Sequence, residues 1–304
     1  MLARAGPKRL ADVEVLSSGW NSVWSDRRAM SHRNILFLLA GSAVFVGSLC
    51  AWQREFREYP AVEYNNFPLP EDARRQAEWV FARLMYPPAP TARFDRSGRR
   101  GWANGRSSWT QDYPRADRHF LVALSRLTRI DARPVEQPVN LDDEDDVYNW
   151  PMLYAVRPGE WDLTDKQAAK MRDYLARGGF FWCDDFWGPF EWDVFMQSMG
   201  RVLPGKTPVD IPEDDTAFHV LYDLNDRFQI LGSWGLYGRG AQNGGDTPYW
   251  RAIYDEKGRI TAAITPNSDL GDAWEFADDP RYPEKYSHLA ISIGVNYVVY
   301  AMTH

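Results

Sequence analysis

The stretch from Pro151 to Cys183 constrains the fold more than any other part of the chain. Pro151-Met-Leu-Tyr-Ala-Val156 reads as a short apolar strand. Thr164 and Gln167 then stand three residues apart, the spacing of a capping box that satisfies the exposed N–H groups of a helix start. The helix carries Ala168, Met171 and Leu175 on one face and stops at Gly178-Gly179, where a positive φ costs little. Phe180-Phe-Trp-Cys183 is apolar at every position, as a strand buried on both faces is. Strand, capped helix and strand within about 35 residues make a βαβ unit. The chain should therefore contain a parallel sheet and belong to the α/β class.

The rest of residues 76–304 extends this frame. Trp79 to Tyr86 reads as a first strand stopped by Pro87-Pro88. Pro114 opens a helix with Ala116, Phe120, Leu124 and Leu127 on one face. A further helix from Pro189 to Met199 turns Trp192, Phe195, Met196 and Met199 inward. Arg251–Tyr254 and Arg259–Thr265 flank a turn at Asp255-Glu-Lys-Gly258, a hairpin signal. Ser287 to Met302 is apolar on most sides, which suits a helix pressed between a sheet and other elements. The sum is a three-layer α/β domain with helices on both faces.

Ahead of it, residues 53–75 are polar with Pro60, Pro68 and Pro70 and read as a linker or extended lead-in. Residues 34–52 hold the one long uncharged apolar stretch, Ile35 to Trp52, preceded by Arg27, Arg28, His32 and Arg33. Such a flank predicts a transmembrane anchor whose short leading segment, residues 1–33, stays in the cytoplasm while the domain is exported. Starting instead at Met30, the same residues have the layout of a signal peptide. Either reading puts the domain outside the cytoplasm: at a bacterial inner membrane facing the periplasm, or secreted after cleavage. Partners would be the membrane and cell-envelope proteins. Of the net charge of −7, residues 1–33 contribute six basic and three acidic side chains and residues 34–52 none, so the remainder carries −10. An acidic domain of this kind excludes nucleic acid as a partner. Arg93, Arg96, Arg99, Arg100 and Arg106 form a local basic exception that reads as a solvated loop, as does the acidic run Asp142–Asp146.

Candidate chemistry lies in acids. Asp184 and Asp185 follow the inferred strand at 180–183, at the sheet edge where open α/β sheets bind ligands. Adjacent carboxylates need a cation, a donor or a shared proton, so they could line a site, or could cap the helix near Pro189. Trp187 and Glu191 follow. Asn267, Asp269, Asp272 and Glu275 crowd oxygen ligands around a Gly, as a hard-cation loop does, although the spacing is not that of an EF-hand; a polar loop closed by Asx turns is the other reading. Asp112 and Asp117 bracket a helix start, where Asp112 would serve as N-cap. His219 and His304 are isolated and form no metal-binding pattern. Cys183, flanked by Trp182 and two carboxylates, reads as a buried filler rather than a nucleophile.

Five stretches, Trp109–Asp117, Arg126-Leu-Thr128, Gly178–Gly188, Asn267–Glu275 and Gly294–His304, together resemble the DUF4159 family in order and over nearly the whole exported domain. The resemblance implies a flavodoxin-like layer structure similar to class I glutamine amidotransferases, in proteins that are often membrane-associated and have no assigned activity. It does not carry over amidotransferase chemistry. The strand end reads Trp182-Cys183-Asp184-Asp185 without elbow glycines, and the family pattern has an aliphatic residue where Cys183 stands and His where Asp215 and Pro266 stand.

Two functions follow as expectations. In the first, a tethered binding or scaffold domain without a nucleophile holds a divalent cation or polar ligand. Asp184, Asp185, Asp269 and Asp272 are its metal candidates, joined as ligand-binding residues by Asp112, Trp187, Asn267 and Glu275. In the second, a hydrolase uses Asp185 or Glu275 as general base. Fourteen tryptophans fit either. Trp109, Trp182, Trp187 and Trp274 fall in the acidic motifs and read as walls of a polar pocket.

Overall fold

The computed structural model describes residues 54–64, 67–93 and 101–304. The anchor or signal peptide read at residues 34–52 and the leading segment before it lie outside them. No helix among the described residues is long and apolar enough to cross a membrane.

Seven strands form one mixed sheet. They are β1 (Ala82–Met85), β2 (Gln137–Asn140), β3 (Met152–Val156), β4 (Phe180–Asp184), β5 (Val209–Asp210), β6 (Arg251–Tyr254) and β7 (Ile260–Thr265). Their order is β2-β1-β3-β4-β7-β6-β5. The first five in that order are parallel, and β6 and β5 add on antiparallel. The expected βαβ unit is β3, α2 (Asp165–Ala176) and β4, with Met152 opposite Phe180 and Val156 opposite Asp184.

Alternation along β4 divides the core. Phe180 and Trp182 join one cluster with Phe120 and Leu124 of α1 (Arg115–Leu127) and Ile293, Tyr297 and Val298 of α5 (Glu284–Thr303). Phe181 and Cys183 join another with Met171 and Leu175 of α2 and Phe195 and Met199 of α3 (Gly188–Val202). Trp192 and Met196 are only half-buried, and Leu127, expected on the buried face of α1, is exposed.

The capping box is complete: the Gln167 N–H donates to Thr164 Oγ1 at 3.2 Å and the Thr164 N–H donates to Gln167 Oε1 at 2.9 Å. Thr164→Ala is expected to cost about 1 kcal/mol, read as a lower urea midpoint with unchanged m. An unchanged midpoint would mean that packing alone holds this helix end.

Three elements escaped the sequence reading. β2 contains Pro138 and lies at the sheet's edge, where a missing N–H is tolerated. β5 is two residues long, and α4 (Leu270–Glu275) is a helix where a polar loop was expected. A long excursion, residues 211–250, joins β5 to β6 and returns Gly232 and Ser233 to the carboxyl end of the sheet, against α4.

Candidate functional site

Beyond the carboxyl ends of β4 and β7, four segments bring acids together. β7 ends at Thr265, the chain turns through Asn267 at φ 61°, and Asp269 caps α4 by accepting the Asp272 N–H at 2.8 Å. Asp272 and Glu275 lie on α4 itself. Trp274 between them is fully buried against Phe120 and Trp182, at ring separations of 4.8 and 5.1 Å, and so anchors the short helix. Asp112 comes from the loop before α1. It does not cap that helix as expected: at φ 58° its carboxyl is turned away, and only its backbone carbonyl accepts from the Ala116 N–H. Glu63 comes from the lead-in at residues 53–75, which sequence reasoning passed over.

The acids form two triads that share one member. Oxygens of Asp112, Asp269 and Asp272 all lie within 4.8 Å of one another, and so do oxygens of Glu63, Asp112 and Glu275. Two ligands bound to one hard cation at about 2.4 Å are at most about 4.8 Å apart, so each triad is compact enough to grip an ion. Asp112, Asp269, Asp272 and Glu275 are all buried, while Glu63 is exposed.

Protein donors satisfy only part of this charge. Asp272 Oδ2 accepts from the Ser233 N–H at 2.6 Å and its hydroxyl at 2.9 Å. Gln111 Nε2 donates to Glu63 at 2.6 Å and to Asp112 Oδ1 at 3.2 Å. The Tyr64 hydroxyl donates to Glu275 Oε1. Asp112 Oδ2 and Glu275 Oε2 are buried without any hydrogen-bond partner. Two glycines keep the space around these oxygens open. A Cβ on Gly232 would collide with Asp269 Oδ2 and Asp272 Oδ2, and one on Gly271 with Asp112 Oδ2.

Burial and mutual repulsion favour the protonated acids. Burial first, then the charges of Asp272, Glu63 and Glu275, raise Asp112 well above the usual carboxylate range. Asp269 is raised likewise by burial and then by Asp185 and Asp272. Glu275 is pushed up to about 9 by burial and by Asp272 and Glu63. Glu63 moves the same way, by desolvation of its carboxyl and by Asp272.

Asp184 and Asp185, expected as ligands, stand outside both triads. Asp184 Oδ1 accepts from the Tyr154 hydroxyl at 2.6 Å, and its Oδ2 accepts from the Leu270 and Gly271 N–H groups at 2.6 and 3.2 Å. Its carboxyl thus holds the first turn of α4. Asp185, at φ 52°, accepts from Arg157 at 3.0 Å on one oxygen and from the Trp187 indole at 2.7 Å on the other. Burial pushes Asp184 up to about 7, and burial raises Asp185 against the pull of Arg157. Asn267 accepts from the Gly188 N–H at 2.8 Å and donates to the Thr247 carbonyl at 2.7 Å, tying α3 to the excursion. Both Asp185 and Asn267 therefore position the loops around the site.

The tryptophans do not wall a pocket. Trp109, Trp182, Trp187 and Trp274 are each at most 1% exposed and belong to the interior. Cys183 is equally buried, and burial followed by the charge of Asp184 pushes its thiol up, which suits the filler role.

Of the residues sequence reasoning missed, Gly271 lay inside a motif already singled out. Gly232, Ser233 and Glu63 lay in aperiodic stretches, and only the folded chain brings them here.

The family model for DUF4159, a domain of unknown function, matches residues 99–302, and the chain belongs to that family. No curated protein matches the chain significantly.

Proposed function

We propose that this DUF4159 member is a hard-cation-binding domain, with Asp112, Asp269 and Asp272 as the ligands of a divalent ion. One observation carries the reading: Asp112 Oδ2 is buried without a hydrogen-bond partner, against carboxylates that repel it. A buried unpaired acceptor costs about 1–3 kcal/mol and more when charged, and a cation removes that cost. Donors that are all carboxylate oxygens, without His or thiolate, suit Ca²⁺, Mg²⁺ or Mn²⁺ over softer metals. The strand order β2-β1-β3-β4-β7 supports flavodoxin-like layering, in which ligands gather beyond the carboxyl ends of the strands.

The hydrolase reading has less support. Asp185 is paired with Arg157 and the Trp187 indole, which hold it in place, and burial pushes Glu275 up to about 9, above the range of a general base at neutral pH. The missing elbow glycines and the buried thiol argue against covalent chemistry at Cys183. Tethering to a membrane and export, or secretion after cleavage, are proposed on the apolar stretch Ile35–Trp52 and its basic flank alone.

Titration of the chelator-treated protein with Ca²⁺, Mg²⁺ and Mn²⁺, followed by thermal unfolding, tests the site. At a hundredfold excess over Kd a bound ion adds about 2.7 kcal/mol, so melting should rise by several degrees. Asp269→Asn and Gly232→Ala should remain folded and lose most of that rise. If none of the three ions moves the wild-type transition, there is no cation site.

A further inference from the structure

We propose that the site holds two cations side by side, bridged by Asp112. This rests on the cation-binding reading and extends it to a dinuclear centre. The two triads meet only at Asp112, one side made by Asp269 and Asp272 of α4 and its cap, the other by Glu275 and Glu63. Asp112 Oδ1 accepts from Gln111 at 3.2 Å, so Oδ2, the oxygen without a donor, is the one that both cations would share. Bridged cations sit about 3.5–4 Å apart. One bridging ligand with separate partners on either side has that layout.

Two orphaned oxygens lie where the pair would sit, one on the shared ligand and one on the second side. Asp112 Oδ2, in the shared residue, and Glu275 Oε2, on the second side, are both buried without a hydrogen bond. Tyr64 occupies the other oxygen of Glu275, so Oε2 is the atom left for an ion. Two glycines leave room at the first side and at the bridge. Gly232 clears the oxygens of Asp269 and Asp272, and Gly271 clears Asp112 Oδ2.

The second position has a distinct origin in the chain. Glu63 arrives from the lead-in, its Oε2 accepting from the Asp112 N–H at 3.2 Å and its Oε1 from Gln111. Glu63 is exposed, so Glu63→Gln removes no core packing and changes only its bonds to Asp112 and Gln111. The first position should therefore form without Glu63, and the second should not.

The test counts ions. Chelator-treated full-length protein is dialysed against Mn²⁺, bound metal per chain is measured, and its electron paramagnetic resonance spectrum recorded. Two ions per chain with a spin-coupled spectrum are expected. Glu63→Gln keeps an acceptor for Gln111 and should bind one ion, with the resolved pattern of isolated Mn²⁺ and at least tenfold weaker uptake of a second. Glu275→Gln should do the same by the other arm of that triad. One ion in the wild-type protein, or two uncoupled ions unaffected by either substitution, overturns the bridged pair while leaving cation binding intact. No bound ion overturns both.

Discussion

In chelator, Asp112→Asn is expected to be more stable than the wild-type protein at pH 8, by about 1–3 kcal/mol, the cost of a buried unsatisfied polar group. Its amide can donate to a neighbouring carboxylate at any pH, whereas the acid repels its neighbours once ionised. The sign of the pH dependence follows from the raised acids. Glu275 moves from an ordinary Glu value to about 9, and Asp112 and Asp269 move up as well. Between the ordinary value and the raised one, the folded chain holds protons that the unfolded chain has released. The stability these groups contribute is full below their ordinary values and is lost as pH rises through the raised ones, at about 1.4 kcal/mol per pH unit for each such proton. The cation-free wild-type protein should thus lose stability from about pH 5 to 9 more steeply than Asp112→Asn does. Saturating Ca²⁺ or Mn²⁺ should flatten the wild-type slope, because the bound ion has already displaced the protons. Parallel stability profiles for the two proteins in chelator, from urea unfolding at each pH, would sink the idea that these acids repel.

Asp117→Ala is expected to be the most damaging single change in the domain, costing about 3–5 kcal/mol. Arg83 and Asp117 are both fully buried, and Arg83 Nε donates to Asp117 Oδ2 at 2.7 Å, paired with a second bond from its terminal nitrogen. Removing the carboxylate strands a guanidinium in the core. The same Arg83 donates to the Trp109 and Gln111 carbonyls at 3.1 and 3.2 Å, immediately before Asp112. Loss of the pair should therefore weaken cation binding together with stability. Arg83→Met with Asp117→Leu should be markedly more stable than either single variant, since it strands no charge. Equal losses in the single and double variants would show that packing volume, not the ion pair, matters here.

The parallel core was legible because its signals are local. β3 and β4 are unbroken apolar runs, and Thr164 and Gln167 announce α2 by their spacing. β2 was not legible: Gln137-Pro-Val-Asn140 is short and contains a residue that sheets normally exclude. α4 was hidden because it is six residues long and takes its stability from Asp269, Asp184 and the burial of Trp274, two of which act from other positions in the fold. The acids of the site divide along the same line. Asp269, Asp272 and Glu275 drew notice through sequence proximity, and Asp112 through its place before a helix. Which carboxylate is free cannot be read from neighbours alone. Asp184 and Asp185 looked most like ligands, yet their oxygens serve Tyr154, α4, Arg157 and Trp187. Glu63 lies 212 residues from Glu275, in a segment without periodicity, so no pattern could join them. The tryptophans were misplaced for a similar reason: adjacency to acids in sequence put them at a pocket, whereas alternation along the strands and helices turned them into the core.

Pro138 has a consequence for how this protein meets its own copies. The Gln137 N–H donates inward to the Phe81 carbonyl at 2.8 Å. Successive residues of a strand turn their amides to opposite sides, so position 138 faces outward and offers no donor there. At the far edge, β5 has only two residues, both exposed, one of them Asp210 paired with Arg251. Both ends of the described sheet are therefore poor templates for another strand. Self-association by continuous sheet is disfavoured at both edges of the described sheet, which leaves helices and loops as the better surfaces for assembly.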